Sequence, residues 1–70
     1  MRTLNIVGCG RAGRTFARLF HHAHAFVVQD LHDINFAAAR ACAQFAEAGE
    51  PVRWLSRMRP AQVWLVATPD

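Results

Sequence analysis

Three glycines spaced as Gly8-Cys9-Gly10-Arg11-Ala12-Gly13 constrain this chain more than any other feature, because of what flanks them. Before them, Leu4, Ile6 and Val7 form a short apolar run that reads as a buried strand ending at Gly8. After them, Ala12, Phe16, Leu19, Phe20 and Ala23 recur at three- and four-residue spacing, with Arg11, Arg14, Arg18 and His22 on the other side. That is the pattern of an amphipathic helix. A GxGxxG at a strand-to-helix turn assigns each glycine a task. Gly8 permits the tight turn, Gly10 leaves no Cβ where phosphates would approach, and Gly13 lets the helix pack closely on the strand. The free N–H groups of the helix's first turn then face a diphosphate, aided by the positive end of the helix dipole.

The remaining segments continue the alternation. Ala25 to Leu31 is rich in β-formers and too short for another helix, so it reads as a second strand. Asn35 or Asp33 can cap a second helix whose face carries Phe36, Ala39, Ala43 and Ala46, with Gly49 as its stop before Pro51. A minimal third strand fits around Val52, Ser56 to Arg59 fits one helical turn ahead of Pro60, and Val63 to Ala67 is apolar throughout, as a strand covered on both faces should be. The expected order is β-α-β-α-β-β, an α/β parallel sheet with strand order 3-2-1-4 and right-handed crossovers.

With 70 residues the chain accommodates one small domain at most, and the order found is only part of a doubly wound sheet. Residues 1–70 read as the first half of a dinucleotide-binding domain, truncated, with the remainder and any substrate domain absent. Both long helices then fall on one face of the sheet, and the other is expected to be a bare apolar patch that invites self-association. No apolar run approaches the roughly 20 residues of a membrane span, and no secretory signal precedes Leu4, so the expected location is cytoplasmic. Two cysteines, Cys9 and Cys42, are too few for a disulfide framework or a thiolate zinc site. All basic residues are arginine, and the net charge of +3 gives a mild attraction for polyanions.

A second requirement of a dinucleotide site is an acid beyond the second strand, about 20 residues past the last glycine, to accept hydrogen bonds from the adenosine ribose. Asp33 lies there. Asp30 competes, but it should fall inside the strand, where a carboxylate is costly to bury. A carboxylate at Asp33 repels a 2′-phosphate, and Ile34, Asn35 and Phe36 offer no arginine to receive one, so the cofactor is NAD or NADP with NAD favoured. FAD fits less well. An NTPase phosphate loop needs Lys and Ser/Thr after its last glycine, and S-adenosylmethionine sites want an acid at the end of the first strand; neither is present.

The segments GCGRAGRTFARLF, Phe45 to Gly49 and VWLVATPD resemble the N-terminal part of Rossmann-like oxidoreductases. That group stands beside the pyrroline-5-carboxylate reductases, the 3-hydroxyisobutyrate and 6-phosphogluconate dehydrogenases and the deazaflavin-dependent NADP reductases. The resemblance spans nearly the whole chain, but only its glycine loop is specific. It implies a partial Rossmann-like sheet and dinucleotide binding by Gly8, Gly10, Arg11, Ala12 and Gly13, with Cys9 inside the same loop. Thr68 and Pro69 match the loop after the fourth strand, near the nicotinamide-side ribose. Asp33 departs from the pattern, since relatives often carry an arginine there that suits NADP. In such proteins a further helical domain supplies the catalytic residues and handles the small-molecule substrate, so no catalytic residue is assigned in this chain.

Other residues read more plainly. His21, His22 and His24 lie at a helix-to-strand bend without a carboxylate or thiol, which suits a solvated turn and not a metal. His32 reads as an exposed strand-end histidine, Cys9 as a small filler between glycines, and Arg14 and Arg18 as solvated. Arg53-Trp54-Leu55-Ser56-Arg57 mixes base and aromatic as nucleic-acid surfaces do, but Trp54 and Leu55 can pack under the sheet edge, and no specific nucleic-acid module surrounds them. The leading expectation is the dinucleotide-binding part of an oxidoreductase. The alternatives are a non-catalytic dinucleotide-binding or sensing module completed by a partner chain, and a basic polyanion-binding domain.

Overall fold

The computed structural model describes residues 1–67, so Thr68 and Pro69 lie outside the described residues. The elements are β1 (Thr3–Val7), α1 (Arg11–His22), β2 (Val27–His32), α2 (Phe36–Ala46), β3 (Glu50–Pro51), one 3-10 turn (Leu55–Arg57) and β4 (Val63–Val66). The four strands are all parallel and ordered β3-β2-β1-β4. This is the expected α/β topology, a partial Rossmann-like arrangement. Boundaries shift locally: β3 lies ahead of Val52, and α2 ends at Ala46 because Glu47 adopts the left-handed conformation (φ 60°), before Gly49 is reached.

Both helices cover the face that carries Leu4, Ile6, Val28 and Leu31, and these residues join Ala17, Ala39, Cys42 and Ala46 in one core. Full burial of a Leu or Ile contributes about 1.5–3 kcal/mol, so Leu4, Ile6 and Leu31 anchor this layer. The buried stripe of α1 is Gly13 and Ala17, with Phe20 partly covered, and not the expected Ala12, Phe16, Leu19 and Ala23, which are exposed. The cause is distance. The helix approaches β1 so closely at Gly13 that only small side chains fit beneath it, and the large ones move to its flanks, where Phe20 stacks on Phe16 and meets Phe26 edge-on. On α2, Cys42 joins Ala39 and Ala46 as a core residue.

The opposite face is only partly bare. Leu4 pairs with Val28 and Ile6 with Leu31, so Gln29 and Asp30 together oppose the single residue Asn5, a bulge that turns both toward the uncovered side. There Asn5 Oδ1 accepts from Gln29 Nε2 (3.0 Å) and from the Asp30 N–H (3.1 Å), while Asn5 Nδ2 donates to Arg59 O (2.6 Å). Asp30, 1% exposed, accepts from the Arg59 N–H (2.7 Å) and from Arg59 Nη2 (2.6 Å). Burial raises the Asp30 carboxyl, but the hydrogen bonds and charge of Arg59 outweigh it and hold the group below its ordinary range. The β3–β4 connector therefore seals a polar hollow, and Trp54 and Leu55 are left pointing outward, contrary to expectation. Apolar exposure on the strands remains at Trp64 (46%) and Val66 (65%) of β4 and at Val27 (43%), where β2 begins.

Candidate functional site

The carboxyl ends of parallel strands, beside the point where strand order reverses, are where open α/β sheets bind ligands. Here that point lies between β1 and β4, and the glycine loop leaves β1 next to it. Gly8 has φ 102°, a conformation few other residues adopt, and its N–H donates to His32 O (2.8 Å). An ideal Cβ on Gly13 would lie 1.8 Å from Gly8 O, so no other residue can occupy that position with α1 seated as it is.

Gly10 differs from both. It is exposed, its φ of −74° is ordinary, and a Cβ built on it meets nothing within 4 Å. It is the N-cap of α1, and no side chain caps the helix. The first helical hydrogen bond runs from the Arg14 N–H to Gly10 O (3.1 Å), and the N–H groups of Arg11, Ala12 and Gly13 have no acceptor among the described residues. The bend is thus an open ledge with donors on it. Arg11 and Ala12 are exposed at its rim.

Asp33 stands where the spacing put it, at the end of β2, but it also braces the loop. Its Oδ2 accepts from the Cys9 N–H (2.7 Å) and its Oδ1 from the Asn35 N–H (2.9 Å). The Cys9 amide is therefore committed within the protein, and of this residue only the backbone position belongs to the site. Its thiol is buried and donates to His32 O (3.5 Å); the neighbouring Cys42 side chain, burial and the Asp33 carboxylate push it well above its ordinary range, so it is not an activated nucleophile. Asp30 lies inside β2, as expected, and its carboxylate is consumed by Arg59.

One neighbour, His32, differs from expectation, and two exposed arginines make contacts that the sequence did not signal. His32 is buried, not exposed, and its Nδ1 donates to Val52 O (3.0 Å), tying β2 to the residue after β3. Arg18 donates to Phe45 O (2.6 Å) and lies over the Phe45 ring, so it links α1 to α2. Arg53 lies over the Phe36 ring at 4.1 Å, immediately beyond the Asp33 turn, and nothing near it in sequence signals that contact. Hollows of about 170 Å³ against Ala37, Arg40, Ala41 and Gln44, and about 280 Å³ against Thr15, Arg18, Leu19, His22 and Phe45, lie on the helices away from the loop. Among the described residues no cluster of three or more His, Cys, Asp or Glu could hold a metal, and no helix is long and apolar enough to cross a membrane.

No family model matches the chain, and comparisons with curated proteins and with solved structures returned no match.

Proposed function

We propose that this chain binds a nicotinamide dinucleotide as the N-terminal, cofactor-holding part of an oxidoreductase. The observation that carries this reading is the uncapped first turn of α1, where Gly10 faces open space and three N–H groups await an anion. The diphosphate sits on that turn. Asp33, braced by two donors yet with lone pairs to spare, accepts from the adenosine ribose hydroxyls. The cofactor supplies hydride chemistry when bound, and this chain's residues hold and orient it. Thr68 and Pro69, by resemblance, approach the nicotinamide-side ribose. Two free thiols suit a cytoplasmic setting. Exposed Trp64 and Val66 on an edge strand support self-association, which sedimentation velocity would register as a concentration-dependent shift.

The test is an NMR titration of the ¹⁵N-labelled chain with NAD. Amides of Gly10 to Arg14 shift if the reading holds, and an unchanged spectrum at millimolar ligand refutes it. A second reading, polyanion binding, draws on the outward Trp54 (63% exposed) between Arg53 and Arg57. Oligonucleotide binding that falls steeply with salt, in a chain indifferent to NAD, favours it.

A further inference from the structure

The turn beyond β2 contains no arginine of its own, yet the sheet delivers one from β3. Leu31 pairs with Pro51, so β3 ends one residue short of the end of β2. The Val52 N–H donates to Leu31 O (2.8 Å) and His32 Nδ1 to Val52 O (3.0 Å), which keeps the chain against β2 as it leaves β3. The next residue, Arg53, is exposed, and its guanidinium carbon lies 4.1 Å from the Phe36 ring centroid. Phe36 opens α2 directly after Asn35, whose N–H is held by Asp33 Oδ1 at 2.9 Å. Arg53 and Asp33 therefore flank one turn. No carboxylate pairs with Arg53 among the described residues; an aromatic face positions it and its N–H edge stays free.

We infer that Arg53 is a specificity-determining residue at the adenosine end of the proposed site, where its guanidinium receives a 2′-phosphate and so admits NADP despite Asp33. This rests on the dinucleotide reading. A planar guanidinium forms two parallel hydrogen bonds to a phosphate, and a side chain already held over a ring loses less freedom in doing so. The two N–H donors on Asp33 meanwhile offset part of the carboxylate charge that would repel the phosphate.

The experiment titrates the wild-type chain, Arg53→Gln and Arg53→Lys with NAD, NADP, 5′-AMP and adenosine 2′,5′-bisphosphate, reading amide shifts and calorimetric affinity. For Arg53→Gln, binding of NADP and the bisphosphate is expected to weaken about tenfold or more, the effect of losing a charge-assisted hydrogen bond, with NAD and 5′-AMP changing less than about twofold. Arg53→Lys keeps the charge without the planar fork and falls between. Equal losses for ligands with and without the 2′-phosphate, no loss at all, or a wild-type chain that binds NAD but not NADP each overturn the role of Arg53 and leave the dinucleotide site standing. Wild-type indifference to all four ligands removes the dinucleotide reading, and this inference with it. Arg53 is exposed, so the variants are expected to keep the wild-type amide pattern away from Phe36.

Discussion

The two helices of this protein begin in the same place relative to the sheet, just past a parallel strand, and they begin differently. At α2, Asn35 caps the helix by accepting from the Ala37 N–H (3.1 Å), and Asp33 in turn takes the Asn35 N–H. At α1, the cap position holds Gly10 and no side chain reaches the first turn. A capping Asn or Ser typically stabilises a helix by about 1 kcal/mol, so α1 forgoes a gain that α2 takes. One helix start is satisfied from within; the other has three N–H donors without an acceptor among the described residues. Neither first turn carries an acid, which would compete for the same N–H groups.

The sharpest way to break the contrast is Gly13→Ala. Its methyl would lie 1.8 Å from Gly8 O, so α1 must lift from β1, and a loss above about 4 kcal/mol is expected, seen as collapse of the cooperative urea transition by circular dichroism. Next in size is Asp30→Asn on the opposite face. At pH 7 it should cost about 2 kcal/mol in urea unfolding, because the buried acceptor of several Arg59 donors changes character. Asp30 is held below its ordinary range when folded, so its stabilisation is complete above the unfolded value of about 3.9 and drains away as pH falls through the lower, folded value. The gap between wild type and variant should therefore narrow below about pH 4, while the Gly10 to Arg14 amides still answer NAD at pH 7.

Two smaller changes separate the helix starts directly. Asn35→Ala should cost about 1 kcal/mol and leave the NAD response intact; loss of that response would mean the two starts are not independent. Gly10→Ala should move stability least, by under about 1 kcal/mol, since its Cβ meets no neighbour, and yet should abolish the amide response by placing a methyl where the phosphates approach. An unaltered response in this variant would erase the distinction between the two starts.

How much of this was legible follows from how far apart the interacting residues are. The glycine loop, the strand–helix alternation and the position of Asp33 could be read because spacing and backbone conformation act over a few residues. The inward face of α1 could not be read from bulk hydrophobicity, since close approach to β1 selects Gly13 and Ala17 over Phe16 and Leu19. Asp30 was expected in the strand, but its partner Arg59, 29 residues on, left no local trace. Trp54 was misplaced for a related reason. The connector's own polar groups, not its apolar ones, fill the hollow over Asn5.

What the sequence determined by itself is a strand, a turn only glycine can make and a helix whose first turn has no side-chain cap, together with the parallel order that alternation implies. Those are consequences of missing Cβ atoms and of periodicity, both local. Tertiary structure alone decided that Asp33 would brace Cys9 across 24 residues, that a bulge would turn Gln29 and Asp30 together toward Asn5, and that Arg53 would come to rest on Phe36. Each depends on strand register and crossover path, where one extra residue changes the face a side chain occupies and hence which groups can meet.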